Sequence, residues 1–424
     1  MKYLILVPDG AADNIGEGEN GKTPLEEAHM PAANGLAARG LTGLVRTIPD
    51  GIAPGSDAAN LAVMGYDPVT NLTGRSPLEA VSIGIDMADT DVAFRTNLVT
   101  LAGDPDTAYE DRIIIDHSSG EITNEEAKEL IEAVDRELGS GLAANKGRVA
   151  FYPGVSYRHA LIVGVGDRTD TGIGDVSNEA SGYKLTPPHD ILERRIGDYL
   201  PQGEGSGFLR DFMIKSYDIL KDHEINKDRV RRGLNPGNSI WIWGQGKKPA
   251  LESFKKKFGI DGSIVSAQDL IKGIGICAGL EVITVPGATG MLDTNYTGKG
   301  AAAIEEFKKG RSFVYVHVEA PDECSHQGKR GEKIESLERI DAEILAPVLA
   351  WLRESGERFR ILVVPDHPTP VSLRTHTAEP VPYVLFDSAE ERDNGDGAFT
   401  EEAGIPGRLF DSGAELAEYF FTEI

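Results

Sequence analysis

Three short apolar runs, rich in β-branched residues and far apart in the chain, each end in an acidic residue. That repetition constrains the fold more than any other feature of the sequence. Tyr3 to Val7 runs into Pro8-Asp9-Gly10, Phe313 to Val318 into Glu319-Ala-Pro-Asp322-Glu-Cys-Ser-His326, and Ile361 to Val364 into Pro365-Asp366-His367. Such runs read as buried strands, and a proline at the end of a run stops the ladder, so the acidic residues stand at strand carboxyl ends. In open α/β sheets, sites form beyond those ends, where tips distant in sequence converge. Prolines after His367 keep the next segment extended, which lets His376 return toward the same place. An Asp at a strand tip is often only a helix cap, and a lone His is often only solvated. Three strands ending alike favour a site.

At 424 residues the chain exceeds what one hydrophobic core organises, so two domains are expected. A formal net charge of −25, from 43 Lys+Arg against 68 Asp+Glu, disfavours sequence-independent binding to nucleic acid or to an anionic membrane. An anionic substrate would need a local basic cluster. Only Cys277 and Cys324 are present, which excludes a disulfide framework and fits a reducing cytoplasm. Cys324 stands two positions from both Asp322 and His326, where a helical turn points it away from each. No run approaches the roughly 18 apolar residues of a membrane span. A cytoplasmic protein is expected.

Along the chain, a polar, Gly-rich loop follows the first strand, then a helical stretch near Pro31 to Arg39 and a second strand, Leu44 to Ile48. Pro54-Gly55-Ser56-Asp57 then opens a helix. The ordinary role for Ser56 is the N-cap, but free N–H groups and the helix dipole would also stabilise a phosphate on its oxygen. From about residue 86 to 272 the pattern becomes an α+β insert, leaving residues 1–85 and 273–424 as the two parts of one domain. Within the insert we expect strands at Val92 to Leu101, 148–152, His159 to Val163 and Ser239 to Trp243. Helices are expected at Thr123 to Leu138, with a capping box of Thr123 and Glu126, near His189 to Leu200 and near Phe208 to His223. Beyond the insert, Lys333 to Leu352 has helical period with a kink at Pro347, and Val381 to Phe386 is one more strand. Strand, helix and strand in alternation argue a βαβ unit and a mostly parallel sheet.

The candidate ligands are Asp9, Ser56, Asp322, His326, Asp366, His367 and His376. Seven such groups suit two divalent ions. Carboxylates, imidazoles and a serine oxygen without thiolate point to Mn, Zn or Mg, with the imidazoles weighing against Mg alone. Two cations can clamp an in-line displacement at phosphorus, with the serine as nucleophile.

Pro-Asp9-Gly, Pro-Gly-Ser56-Asp, Asp322-Glu-Cys-Ser-His326, Asp366-His367-Pro-Thr-Pro and His376, in this order, resemble the alkaline phosphatase superfamily. Within it they resemble the archaeal-type cofactor-independent phosphoglycerate mutases. Arg75-Ser-Pro-Leu-Glu-Ala, Asp91-Val-Ala-Phe-Arg-Thr-Asn-Leu and Asp116-His-Ser-Ser-Gly120 extend the likeness over nearly the whole chain. The resemblance implies an α/β fold, an alkaline-phosphatase-like sheet sandwiched by helices, with the insert as a substrate-gripping cap that closes to exclude water. It implies one metal on Asp9, Ser56, Asp366 and His367, and another on Asp322, His326 and His376. The implied activity is interconversion of 3-phosphoglycerate and 2-phosphoglycerate through a phosphoserine at Ser56, a step of glycolysis.

By the same resemblance Arg158, His159 and Lys299 would bind substrate. Asp167 and Asp170 stand where relatives carry Asp-Pro, but Thr171 follows Asp170 here, which departs from the pattern. The Arg229 to Arg232 run and Lys247-Lys248 read as solvated faces. The alternative is another phosphoryl-transfer enzyme on the same fold, such as a homoserine kinase-like enzyme, a phosphatase or a phosphopentomutase. A Walker-type loop is missing, since Gly298-Lys299 lacks both the upstream Gly and the hydroxyl residue. A metal-stabilised binding protein ranks last, because a serine placed as nucleophile would be superfluous to it.

Overall fold

The computed structural model of the chain describes residues 1–17, 19–139, 149–164, 176 and 180–422. Two compact units emerge, Met1–Leu72 with Ala250–Ile424, and Thr73–Pro249. Both boundaries lie nearer the N-terminus than residues 86 and 272. The helix Ser76–Ser82 belongs with the second unit, where Ser76 Oγ donates to Gly244 O and Arg95 Nε donates to Glu79 at 2.8 Å. Residues Gly262–Val265, expected inside the insert, pair in register with Phe313–Val316 in the first unit.

In chain order the strands are β1 (Lys2–Pro8), β2 (Leu41–Val45), β3 (Val92–Ala102), β4 (Ile113–Asp116), β5 (Val149–Val155), β6 (Arg158–Val163) and β7 (Ser239–Lys247). They continue with β8 (Gly262–Val265), β9 (Glu281–Ile283), β10 (Phe313–Val318), β11 (Phe359–Val363), β12 (Val381–Asp387) and β13 (Arg408–Phe410). The second strand lies at 41–45 and not at 44–48, because β12 and β13 both pair with Leu41–Val45.

The first unit is an eight-stranded mixed sheet in the order β13-β2-β12-β11-β1-β10-β8-β9. From β11 to β9 every pairing is parallel, while β12 runs against both of its neighbours. β1, β10 and β11 are buried along their whole length, as continuous apolar runs covered on both faces must be. Leu4, Leu6, Val314, Val316, Ile361 and Val363 share one core with Leu337, Ile344 and Val348 of the long helical segment. On the other face Tyr3 and Phe313 stack edge-on against Phe420 and Phe421. The registers Val7↔His317 and Leu6↔Val363 bring the carboxyl ends of the three adjacent strands to one edge of the sheet. A π-helical stretch, Ile340–Leu345, joins Arg330–Arg339 to Ala346–Glu354, and Pro347 falls in the first turn after that wider coil.

The second unit is an antiparallel sheet in which β3 pairs with β4, β6 and β7, and β6 with β5. The helices Asn124–Leu138 and Gly207–Leu220 contribute Leu130, Ile131, Leu209 and Met213 to its core. Thr123 caps the first of them by accepting from Glu126 N, but the reciprocal half of the capping box is given up. The Glu126 carboxylate accepts instead from Arg229 and Arg232. Arg229 is therefore buried, not solvated, and also donates to Asn235 O at 2.9 Å. Residues 189–200 form two short 3-10 turns, Pro188–Ile191 and Ile196–Tyr199, in place of the expected helix. Pro187 and Pro188 cannot donate, and the residue before each is steered away from helical geometry. Asp167 and Asp170 lie outside the described residues. Among those residues no helix is long and apolar enough to cross a membrane.

Candidate active site

Asp9 follows β1, Asp322 follows β10 and Asp366 follows β11, so three neighbouring strands place three carboxylates at one edge. Asp9 and Asp366 have no exposed surface. Asp366 is well provided for: Oδ1 accepts from Gly10 N at 3.1 Å and His367 N at 3.0 Å, and Oδ2 accepts from Asn60 Nδ2 at 2.8 Å. Asp9 is not. Neither of its carboxylate oxygens has a hydrogen-bond partner among the described residues. Burial, and then the nearby charges of Asp366, Asp322 and Glu319, push its pKa well above the ordinary carboxylate range. Such burial is costly unless a cation compensates it, and oxygen and imidazole donors around Asp9 are what a divalent ion takes.

Three histidines aim the same ring atom inward. His367 Nε2 lies 3.6 Å from Asp9 Oδ1, 3.5 Å from Asp366 Oδ2 and 3.2 Å from Ser56 Oγ. His326 Nε2 lies 3.2 Å from Asp322 Oδ2 and 2.9 Å from His376 Nε2, which is itself 3.5 Å from Asp322 Oδ1. The outward nitrogens are engaged elsewhere. His326 Nδ1 is 2.9 Å from Arg374 O and His376 Nδ1 is 3.4 Å from Pro54 O, and since a carbonyl only accepts, these nitrogens carry the hydrogen. Thr369 Oγ1 donates to Asp322 Oδ1 at 2.5 Å and is therefore free to accept from His367 Nδ1 at 3.2 Å. This second layer turns each Nε2 toward the carboxylates, the arrangement that metal-ligating histidines need. The hydrogen bond to Asp322 draws the His326 pKa up to about 9. Burial opposes ionisation of Asp322, but hydrogen bonds from His326 and His376 outweigh it and hold the carboxyl low.

Gly10 makes the crowding possible. Its φ is +61°, and a Cβ there would sit 2.5 Å from Asp322 Oδ1 and 2.6 Å from Thr369 Oγ1. Ser56 departs from its expected N-cap role. Gly55 is the N-cap, and Ser56 is the first residue of the helix Ser56–Val63, buried, without a side-chain capping bond. Its hydroxyl faces His367 instead. Asn60, one turn on, donates to Ser56 O at 2.8 Å and to Asp366, and accepts from Tyr315 OH, which fixes the helix to the strand tips.

Lys299, on the helix Tyr296–Lys308, is fully buried and donates to His317 O at 3.0 Å. Burial draws its pKa down to about 8 against the pull of Glu319 and Asp9. Arg158 and His159 belong to the second unit, on β6. Arg158 is exposed, its guanidinium 5.2 Å from the Tyr157 ring centre. His159 is buried, accepts from Gly154 N at 3.0 Å through Nδ1, and is held neutral by burial, with a pKa lowered to about 3.

His317 is the functional neighbour that the sequence reading passed over. It lies fully buried on β10, with Nε2 3.2 Å from Asp9 Oδ2. The signal was present, since it is the only imidazole in the strand Phe313–Val318 and stands two residues before Glu319 at the strand's end. Two groups, Asp9/His317/Asp366 and Asp322/His367/His376, each bring their donor atoms within 4.8 Å of one another.

The sequence profile of the 2,3-bisphosphoglycerate-independent phosphoglycerate mutases matches residues 37–226. A curated protein of that name from Methanosarcina barkeri is 45% identical, covering 96% of each chain. Among solved structures, a Pyrococcus horikoshii protein superposes with a TM-score of 0.78 at 25% identity over 100% of this chain and 98% of its own. A cofactor-independent phosphoglycerate mutase from Thermoplasma acidophilum superposes with a TM-score of 0.67 at 26% identity over 99% of both.

Proposed function

The chain belongs to the 2,3-bisphosphoglycerate-independent phosphoglycerate mutases, and on that premise we propose that it exchanges the phosphoryl group between the 3- and 2-positions of glycerate through Ser56. The observation that carries this reading is Ser56 Oγ, on the first residue of a helix and 3.2 Å from His367 Nε2. Asp9, Ser56, Asp366 and His367 would hold one divalent cation, and Asp322, His326 and His376 the other. Manganese or zinc suits this mixture of carboxylate and imidazole better than magnesium alone. When bound, the two cations supply positive charge against the phosphoryl oxygens and lower the pKa of the serine hydroxyl.

The chain's own residues do the rest. Ser56 Oγ attacks phosphorus, the bond from phosphorus to the glycerate oxygen breaks, and the serine proton ends on that oxygen. In the second half the neighbouring hydroxyl attacks the phosphoserine, the Oγ–P bond breaks, and Ser56 regains a proton. The dipole of the helix Ser56–Val63, whose first residue is Ser56, favours the negative charge carried meanwhile. Lys299, the one substrate candidate among the buried strand tips, balances charge on the phosphoryl group. Arg158 and His159 hold the glycerate between the two halves, Arg158 as the cation for its carboxylate and His159 as a neutral polar partner. Neither Cys277 nor Cys324 is in a disulfide, as suits an enzyme working in the cytoplasm.

The test is Ser56→Ala assayed with 3-phosphoglycerate and Mn(II), with 2-phosphoglycerate and inorganic phosphate followed separately. A folded variant that forms neither product is expected. Isomerisation at more than about one thousandth of the wild-type rate would overturn the covalent route.

A further inference from the structure

We propose that His317 is a further metal ligand, binding through Nε2 the cation held by Asp9 and Asp366. The inference rests on the proposed metal site and adds a residue to it. Geometry carries the argument. His317 Nε2 lies 3.2 Å from Asp9 Oδ2, yet it makes no hydrogen bond to it, and neither nitrogen nor carboxylate has any other hydrogen-bond partner among the described residues. Two fully buried polar groups aimed at a common point without bonding to each other are what a third, shared partner leaves behind.

Asp366 completes the group, since one donor atom from each of Asp9, His317 and Asp366 falls within 4.8 Å of the others. The ring of His317 also repeats the pattern of the other three histidines. Its Nδ1 is anchored outward, 3.4 Å from Ser266 Oγ, and its Nε2 points in. If Nδ1–H donates to Ser266, Nε2 keeps the lone pair that a metal needs. The backbone of His317 is fixed from two sides, by the parallel pairing with Val7 and by Lys299 Nζ on its carbonyl at 3.0 Å. The ligand on β10 is thereby locked in register with the ligand that follows β1.

The test uses the full-length protein freed of metal and titrated with Mn(II), with the free-ion EPR signal giving stoichiometry and affinity. Nitrogen couplings to the bound ion are read by ENDOR on protein carrying 14N- or 15N-histidine. The wild type is expected to bind two ions, and Asp9→Ala to lose one of them. His317→Gln should lose one nitrogen coupling and weaken one binding event at least tenfold, leaving the other in place. Ser266→Ala keeps every ligand and should weaken the same event about 10- to 100-fold, which holds the test open if His317→Gln does not fold. A folded His317→Gln that keeps the full set of nitrogen couplings, or a Ser266→Ala isotherm equal to the wild type, overturns the assignment. A wild type that binds no Mn(II) overturns the metal site itself, and this inference with it.

Discussion

Lys333 is buried without exposed surface beneath the loops that carry the proposed ligands, and replacing it by Met removes a charge while keeping most of the stem. Its Nζ donates to Asp13 Oδ2 at 3.1 Å, to Ala12 O at 3.3 Å and to Thr369 O at 3.0 Å. One ammonium thus ties the loop after β1 to the loop after β11. Breaking a buried ion pair by deleting one partner costs about 3–5 kcal/mol, because the other charge is stranded. Here Asp13 keeps a donor, Val371 N at 3.1 Å, so the lower end applies. We expect Lys333→Met to lose about 3 kcal/mol of first-unit stability, or about 6–12 °C in Tm for a unit of this size. Urea and thermal unfolding of the metal-free protein measure it. Ala12 and Thr369 also flank Asp9 and His367, so Mn(II) affinity should fall with stability. A loss under about 1 kcal/mol would refute the role given to the lysine. Lost stability with unchanged affinity would show that it holds the fold and not the ligands.

Thr369→Val removes the hydroxyl between Asp322 and His367, and should weaken Mn(II) binding about 10- to 100-fold in a titration, with Thr369→Ser restoring it. Arg158→Ala should raise the ratio of inorganic phosphate released to 2-phosphoglycerate formed. If both rates fall together at a constant ratio, Arg158 is not the grip on the glycerate. The third expectation concerns pH. His159 stays neutral in the fold until about pH 3 and takes up its proton near pH 6.5 when unfolded. Because the folded pKa is the lower, stability from this residue is complete above about pH 6.5 and drains away as pH falls toward 3. Between pH 7 and 5 the wild type should therefore lose about 2 kcal/mol more than His159→Gln in urea unfolding, and parallel losses would refute it.

How much of this was legible in the sequence depends on what decides each feature. Asp9, Asp322 and Asp366 were visible because a proline and an acid closing a β-branched run is a local pattern, and parallel pairing then brings the tips together. The central strands were legible for the same reason. Gly262–Val265 was not, since four residues opening on Gly and Ser carry little strand signal, and its place is set by pairing with β10. Ser56 carried the signal of an N-cap, and only the position of Gly55 decides that its hydroxyl is spared for His367. The Arg229 run looked solvated because its partners, Glu126 and the carbonyls of Ser119 and Asn235, are distant in sequence or set by a turn. His317 was hidden inside a strand. Periodicity gives the face on which it lies but not the carboxylate it meets across the sheet.

The central claim is that the phosphoryl group passes through Ser56, and one measurement tests it most directly. Wild-type protein with Mn(II) is mixed with 3-phosphoglycerate labelled at phosphorus, quenched in acid during turnover, digested and mapped. The account predicts label on the peptide holding Pro54-Gly55-Ser56-Asp57, at Ser56, and none in Ser56→Ala. Label on a histidine, or 2-phosphoglycerate formed with no label on the chain at any time, would contradict it.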